Sequence, residues 1–256
     1  MQAKSWQIFV ILLIMSSLLL LFYVMMGKQT VSPSEVSLPA AEVNKQPDKI
    51  KRHVFFDLGT NNGDSVKYFI DTANRSNKEL LKGYGSFNEI SWEIYAVEAN
   101  PYFNQMLGDL KKYCEKLGHT INLMTETAAW TKNEKLVFYL DTINAGYNYW
   151  GSSLIKEHPD VINSGFKNVT VNGIDISELL KKYNADDEII MKIDIEGTEF
   201  DLLLHLIKEG TLHLVDIIAV EFHQRLLNNF KFPPNDLQRF FNDYFKFFNV
   251  TSIPWY

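Results

Sequence analysis

Two acidic residues near the start of the folded part of the chain stand where a ligand could bind. The segment FFDLGTNNGDS (55–65) breaks an apolar run at Asp57 and then places glycines at Gly59 and Gly63. Glycine allows positive φ angles and the close approach of a ligand. A second apolar run ends at Glu98 in VEANP, where a carboxylate could accept hydrogen bonds from both hydroxyls of a ribose. Each acid alone is also typical of a turn or a cap, but the pair favours a nucleoside-like ligand.

Two common nucleotide-binding patterns are missing from the chain. It has neither the G-x-G-x-x-G spacing of dinucleotide folds nor the G-x-x-x-x-G-K-[ST] pattern of P-loops. We therefore predict a ligand that has a ribose but no pyrophosphate. S-adenosylmethionine fits this description, because Glu98 would suit its ribose and an acidic, glycine-rich loop would suit its amino-acid end and its sulfonium.

A third group of ionisable residues follows two later apolar runs and could serve the reaction. Asp194 and Glu196 share parity along their predicted strand, so they could point the same way. We predict Asp194, Glu196 and His223 as the catalytic group, and His223 is attractive because the ordinary pKa of histidine lies near neutral pH. The alternatives are that Glu196 caps the helix beginning near Thr198 and that His223 is structural. No His/Cys/Asp cluster shows metal-ligand spacing, so we predict no required metal.

Alternating apolar and amphipathic segments must position these residues. Strands that alternate with helices imply an α/β fold with a doubly wound, mostly parallel sheet, whose ligands lie beyond the carboxyl ends of the strands. An extra strand at Lys135–Leu140 belongs to an excursion that continues to about Val171. The predicted strands of the sheet are His53–Leu58, Glu93–Glu98, Thr120–Met124, Glu188–Ile195 and Val215–Phe222. The predicted helices are Ser65–Thr72, Pro101–Leu117, Ile174–Tyr183, Phe200–Lys208 and Asn235–Phe248.

The segments at these strand ends resemble the FkbM-type methyltransferases. The similarity rests on FDLGTNNGDS, VEANP, TAAWT, GSSL and, most specifically, MKIDIEGTEFDLL, which follow one another from about residue 53 to about residue 223. The resemblance implies a class I (Rossmann-like) methyltransferase fold that uses S-adenosylmethionine, usually to methylate a hydroxyl. Because the chain stops at SIPWY soon after the last predicted helix, we expect the final strand pair of this fold to be shortened.

The resemblance also implies a place for each part of the cofactor. The methionine end would lie against the loop after the first strand, the ribose against VEANP, and the adenine against the residues after the third strand. The implied residues are Asp57, Gly59, Asn61, Gly63 and Ser65 for the methionine end, Glu98 for the ribose, and Glu126, Thr127 and Ala128 for the adenine, with Asn100 as a further cofactor-binding residue.

The excursion contains an aromatic segment that could contact the acceptor. In NAGYNYWGSSL, the side chains of Tyr147, Tyr149 and Trp150 could stack on a sugar ring by their apolar faces. The alternative is an aromatic cluster that only closes a long loop. Because long loops in compact domains are often functional, we expect this segment to help define the acceptor.

The first fifty residues predict a membrane anchor and a tether. Residues 8–26 carry no charge, and a helix of this length approaches the roughly 30 Å hydrocarbon core of a bilayer. A cleaved signal peptide is the alternative, although its apolar stretch is usually about 7–15 residues long. We predict a tail at 1–7, a transmembrane signal anchor at 8–26, a flexible stem at 27–50 and a methyltransferase domain at 51–256. The domain would then lie in the secretory pathway, in the endoplasmic reticulum or Golgi, as in a type II single-pass protein.

Composition narrows the function further. The net charge of −6 argues against a nucleic-acid-binding surface, and the single cysteine, Cys114, excludes an intrachain disulfide. We predict a membrane-anchored S-adenosylmethionine-dependent O-methyltransferase that acts on a hydroxyl of a small molecule or a glycan. The alternatives are a non-catalytic, membrane-tethered adaptor that retains the fold and a nicotinamide-dependent oxidoreductase, which the missing G-x-G-x-x-G pattern disfavours.

Overall fold

Six parallel strands form the central sheet. The computed structural model describes residues 51–74, 90–223, 226 and 234–253, all within one compact unit, Ile50–Tyr256. The strands are β1 (His53–Leu58), β2 (Trp92–Val97), β3 (Thr120–Met124), β4 (Thr127–Trp130), β5 (Glu134–Tyr139), β6 (Asn168–Asp175), β7 (Glu188–Ile193), β8 (Ile217–Val220) and β9 (Thr251–Ile253). The sheet has the order β3-β2-β1-β7-β8-β9, and every pairing in it is parallel. The order reverses between β1 and β7, and ligands of such sheets bind at the carboxyl ends near this reversal.

Strands β1, β2 and β7 lie in the middle of the sheet and are buried on both faces. Successive side chains of a strand point to opposite faces, so Phe55 and Phe56 enter two separate cores. Phe55 stacks on Phe69 at 4.0 Å, and Phe56 stacks on Tyr95 at 4.6 Å. This double burial explains why these strands read as continuous apolar runs in the sequence.

Six α-helices lie in the described residues: α1 (Asp64–Asn74), α2 (Asn104–Lys116), α3 (Pro159–Asn163), α4 (Ile176–Leu180), α5 (Glu199–Lys208) and α6 (Pro234–Phe247). The predicted start of the helix at Ile174 is wrong. Ile174 and Asp175 end β6, and Oδ1 of Asp175 accepts a hydrogen bond from the backbone N–H of Ser177 at 2.9 Å, which caps α4. The predicted strand Glu188–Ile195 ends instead at Ile193. Asp194 and Glu196 therefore lie in a loop, and their shared strand parity does not apply.

A second, three-stranded sheet with the order β4-β6-β5 was not predicted in full. Strand β4 pairs with β6 in parallel, and β5 pairs with β6 in antiparallel fashion. Only β5, at Glu134–Tyr139, matches a predicted strand. Strand β6 has the sequence NVTVNGID, in which Asn and Gly are rare strand formers, and β4 was expected to be a loop.

The excursion between β5 and β6 is a loop whose two ends lie side by side. The backbone N–H of Leu140 donates to the carbonyl of Lys167 at 2.8 Å. Tyr139 and Ser153 exchange two backbone hydrogen bonds of 2.8 and 2.9 Å. The loop therefore leaves the second sheet and returns to it at one place.

After α6 a single three-residue strand, β9, is present in the described residues, and it pairs with β8. Within residues 51–74, 90–223 and 234–253, no helix is long and apolar enough to cross a membrane. The predicted tail (1–7), anchor (8–26) and stem (27–50) lie outside the described residues and stay predictions.

Candidate active site

A cavity of about 580 Å³ opens at the carboxyl ends of the central strands. This volume is typical of small-molecule and cofactor sites. The loops after β1, β2 and β7 line it, together with β4 and the excursion loop. Nine of the thirteen residues predicted for the site line the cavity: Gly59, Asn61, Ser65, Glu98, Asn100, Thr127, Ala128, Asp194 and Glu196.

The loop after β1 owes its shape to Gly59. Its φ is +81°, and a Cβ atom at this position would lie 1.8 Å from the carbonyl oxygen of Asp194. The end of β1 therefore packs backbone to backbone against the end of β7, which only glycine permits. The next turn uses Asn61, whose φ is +51° and whose side-chain amide donates to the carbonyl of Asn148 in the excursion loop.

Asp57 is fully buried and does not line the cavity. Its Oδ2 accepts a hydrogen bond of 2.5 Å from the Ser65 hydroxyl, and its Oδ1 lies 3.4 Å from Nζ of Lys192. Burial raises the pKa of Asp57, and Lys192 and Ser65 oppose that effect. Asp57 thus supports the loop from below, because Lys192 also donates to the carbonyl of Gly59 at 2.6 Å.

Glu98 points into the cavity from the end of β2. Its Oε2 accepts the backbone N–H of Asn61 at 2.7 Å, and its Oε1 accepts the backbone N–H of Asn100 at 2.6 Å. Burial raises the pKa of Glu98 to about 7, against the opposing effect of these two hydrogen bonds. The carboxylate is therefore fixed by two loops, and its remaining lone pairs are available to a ligand.

Two further residues predicted for the cofactor, Gly63 and Glu126, do not line the cavity. A Cβ at Gly63 would lie 2.8 Å from Leu110, so this glycine permits α2 to pack closely. The side chain of Glu126 is exposed and accepts a hydrogen bond from Asn104 at 2.9 Å. The apolar wall of the cavity instead includes Ala128 and Phe138.

The three predicted catalytic residues come together, although His223 is buried behind the cavity wall and does not line it. Asp194, Glu196 and His223 each offer one potential ligand atom, and these atoms all lie within 4.8 Å of one another. Nε2 of His223 lies 3.2 Å from Oε2 of Glu196. The sequence analysis named these three residues as one group but recognised no metal-ligand spacing among them, because they follow two different strands.

His223 is held between carboxylates. Its Nδ1 lies 2.9 Å from Oε1 of Glu199, which is fully buried. Burial opposes the charged imidazolium, but the hydrogen bond to Glu199 and the charges of Glu196 and Asp194 outweigh it and raise the pKa of His223 to about 9. At neutral pH the ring is therefore protonated, and the near-neutral pKa that suggested His223 as a base is not found.

His158 is a site residue that the sequence analysis missed. It is buried, and its Nε2 lies 3.4 Å from Oε2 of Glu196. Its Nδ1 accepts the backbone N–H of Asp160 at 3.1 Å, so a neutral His158 carries its proton on Nε2, toward Glu196. In the sequence, His158 only precedes Pro159 at the start of a short helix, which is a capping pattern with no chemical signature.

Aromatic side chains form one rim of the cavity. Tyr149 and Trp150 line it, and Tyr149 stacks on Tyr102 at 4.8 Å. Trp150 and its neighbour Tyr147 are 57% and 65% exposed, and their ring centroids lie 5.8 Å apart. Tyr149 therefore helps to close the loop, while Trp150 presents free ring surface beside the cavity.

The comparison with known families agrees with this geometry. The profile of the Methyltransferase FkbM domain matches residues 57–248, which is most of the 256-residue chain. The chain belongs to the FkbM methyltransferase family. The α/β fold of this FkbM domain, with its parallel central sheet, fits a Rossmann-like methyltransferase. No curated protein and no solved structure is significantly similar to the chain.

Proposed function

We propose that this FkbM-family protein is an S-adenosylmethionine-dependent O-methyltransferase. The charge of the cavity is the observation that carries the proposal. Among its described lining residues, Lys192 alone has a basic side chain, and that ammonium lies 3.4 Å from Asp57 and 3.3 Å from Asp194. The acidic lining residues are Asp64, Glu98, Asp194, Glu196 and Glu221. An acidic cavity suits a sulfonium cofactor and disfavours the anionic pyrophosphate of a nicotinamide cofactor.

The residues present fit S-adenosylmethionine. Glu98 would accept hydrogen bonds from the ribose hydroxyls, because each of its oxygens has lone pairs beyond those used by Asn61 and Asn100. Ala128 and Phe138 would contact the adenine. Gly59 and Ser65 would border the methionine end. When bound, S-adenosylmethionine supplies a methyl group that its sulfonium activates toward nucleophiles.

The chain's own task is to align the acceptor hydroxyl and to take up its proton. The pKa of His223 is raised to about 9, so its ring is mostly protonated at neutral pH and is less suited to be the base than a carboxylate. Asp194 and Glu196 both line the cavity, and their carboxylates can accept a hydroxyl proton. His223 and His158 act as positioning residues, since both rings contact Glu196.

The proposal is tested by calorimetry and by methyl transfer with the full chain purified in detergent micelles. We expect S-adenosylmethionine to bind and NADH not to bind, and we expect labelled methyl groups to reach a hydroxyl-bearing acceptor from a panel of sugars and small alcohols. Absence of cofactor binding by the folded protein would overturn the proposal. Cofactor binding without transfer to any acceptor would instead favour the non-catalytic adaptor.

Binding should depend on pH through Glu98. Because burial raises the pKa of Glu98 to about 7, the side chain is largely neutral below about pH 6 and ionised above about pH 8. The ionised form accepts hydrogen bonds better, so the affinity for S-adenosylmethionine should rise as the pH increases through 7. Calorimetry across this range measures it. Glu98→Gln cannot ionise and should show a flat profile; an unchanged slope in that variant would contradict the assignment.

We further propose that the acceptor is a glycan hydroxyl, which the exposed ring of Trp150 at the cavity rim supports. Trp150→Ala should raise the KM for a glycan acceptor by up to about tenfold, because ring stacking contributes roughly 0.5–1.5 kcal/mol, and should leave cofactor affinity unchanged. Phe247→Ala removes a ring that is also exposed but does not line the cavity, and it serves as the control. Equal KM values for the two variants would argue against the glycan.

The membrane attachment is also a proposal. Residues 8–26 contain no charge, and we propose that they anchor the protein in the bilayer of the endoplasmic reticulum or Golgi with the domain on the lumenal side. Carbonate extraction and protease protection of the expressed full chain test this. A protein released by carbonate, or a domain digested in sealed vesicles, would overturn it.

A further inference from the structure

The cluster of Asp194, Glu196 and His223 has the composition and spacing of a divalent cation site. One potential ligand atom from each residue lies within 4.8 Å of the other two. Ligands about 2.1 Å from one octahedral ion stand roughly 3–4 Å apart, so small side-chain rotations would bring all three onto one ion. Carboxylates are the ligands that suit Mg²⁺ and Mn²⁺, and the imidazole adds a nitrogen ligand of the kind that divalent transition metals bind.

The proposed ligands are oriented by hydrogen bonds to neighbouring residues, as is usual in metal sites. Metal-binding histidines usually donate their second ring N–H to a carboxylate. Here Nδ1 of His223 lies 2.9 Å from Oε1 of Glu199. The same oxygen accepts the backbone N–H groups of Ile195 and Gly197 at 3.2 and 3.0 Å. Glu199 is fully buried, so its position is fixed, and Nε2 of His223 faces Glu196.

Glu196 is oriented from a second side. Nε2 of the buried His158 lies 3.4 Å from Oε2 of Glu196. The backbone of Glu196 has a φ of +52°, and its carbonyl accepts a hydrogen bond of 2.7 Å from the Ser153 hydroxyl. A strained backbone conformation that the surroundings over-determine is typical of functional positions. Two elements of the excursion loop therefore help to place this carboxylate at the cavity.

The negative charge around the cluster favours the binding of a cation. The cluster contains the carboxylates of Asp194 and Glu196, and two more, those of Glu199 and Glu221, lie beside it. Oε1 of Glu221 lies 3.7 Å from Nε2 of His223. The cationic groups that face them are His223 itself and Lys192, whose Nζ lies 3.3 Å from Oδ2 of Asp194. Lys192 is shared with Asp57, so it does not balance the cluster.

We propose that Asp194, Glu196 and His223 bind one divalent cation, Mn²⁺ or Mg²⁺, at the acceptor end of the cavity, and that the ion displaces the proton from Nε2 of His223 into solvent. The binding itself does not depend on the proposed function, but the role that follows from it does. A hydroxyl bound to a divalent cation loses its proton more readily. Since Asp194 and Glu196 would then be occupied by the ion, that proton would pass instead to the half-exposed carboxylate of Glu221, which also lines the cavity. The oxygen would then form a bond to the methyl carbon as the bond from that carbon to the sulfonium sulfur breaks, which would leave a neutral thioether.

The test is a titration of the full chain with Mn²⁺ after treatment with a chelator, followed by the electron paramagnetic resonance signal of free Mn²⁺. We expect one bound equivalent, displaced by excess Mg²⁺. Glu196→Gln and His223→Gln should each lower the affinity by at least about tenfold. His205→Gln is the matched control, because His205 also pairs with a carboxylate, Asp175, at 2.9 Å but lies outside the cluster. The Mn²⁺ affinity of this variant should equal that of the wild type.

Absence of binding by the folded wild-type chain at millimolar Mn²⁺ would overturn the proposal, as would equal affinity in all three variants. Thermal unfolding measured in the presence of chelator identifies any variant that has not folded. The titration of the wild-type chain tests cation binding even if a variant fails to fold. The two proposals fail separately. If the chain binds Mn²⁺ but not S-adenosylmethionine, the cation site is supported and the proposed methyltransferase activity is contradicted. If chelator does not affect methyl transfer, only the catalytic role of the cation is contradicted.

Discussion

Replacement of Glu98 by alanine is expected to lower the affinity for S-adenosylmethionine by about 100-fold, because hydrogen bonds to a charged group contribute roughly 1.5–3 kcal/mol each. The carboxylate accepts backbone N–H groups from Asn61 and Asn100 at 2.7 and 2.6 Å. Its removal therefore takes away the proposed ribose acceptor and also leaves two N–H groups without their partner. Calorimetry with the full chain measures the loss.

Glu126→Ala is the control for this experiment. Glu126 was also predicted to contact the cofactor, but its side chain is exposed and contacts Asn104. We expect the affinity of this variant to stay within about twofold of the wild type, since exposed contacts contribute little. A comparable loss in both variants would mean that the cofactor does not lie where the cavity suggests.

Replacement of Gly59 by alanine is expected to have the largest effect on stability. The new methyl group would lie 1.8 Å from the carbonyl oxygen of Asp194, and the φ of +81° is costly for any residue with a side chain. The ends of β1 and β7 would have to separate, and we expect a loss of more than about 4 kcal/mol in the free energy of unfolding, or no folded protein. Chemical denaturation followed by circular dichroism measures it.

Gly108→Ala gives the matched comparison. Gly108 lies inside α2, and a Cβ added there would meet nothing within 4 Å. Alanine favours the helix over glycine by roughly 0.5–1 kcal/mol, so this variant should be as stable as the wild type or slightly more stable. If Gly59→Ala unfolds at the same denaturant concentration as Gly108→Ala, the close packing at Gly59 is not essential.

The central sheet could be predicted because its inner strands are buried on both faces. Runs such as HVFFDL and EIIMKI are apolar at nearly every position, and the glycine after the first run marks the loop. The cavity residues at the ends of these strands, including Glu98 and Asp194, followed directly from that reading. The second sheet was harder to recognise, because β6 contains polar residues and Gly173, and its partners are distant in sequence.

Side-chain burial and tertiary contacts account for the parts of the site that the sequence did not predict. Asp57 has the residue type of a ligand contact, but it is buried under the loop because Ser65 and Lys192 turn toward it. His223 has the residue type of a base, but neighbouring carboxylates keep it charged. His158 reaches Glu196 only because the excursion loop folds back over the strand ends. None of these contacts can be recognised from the spacing of neighbouring residues in the sequence.

The excursion loop begins and ends at one place on the second sheet, where Leu140 donates to Lys167. The same sheet contains β4, whose residues Thr127 and Ala128 line the cavity on the proposed adenine side. The proposed adenine wall and the aromatic rim are therefore attached to one scaffold. The rim lies within the loop, together with Ser153 and His158, which contact Glu196. A segment of different length or sequence could replace residues 141–166 while the strands that carry the adenine wall keep their pairing. Exchange of this single closed loop would then be expected to change the aromatic side of the cavity and the loop's contacts to Asn61 and Glu196, without breaking the strand pairing behind the proposed adenine wall.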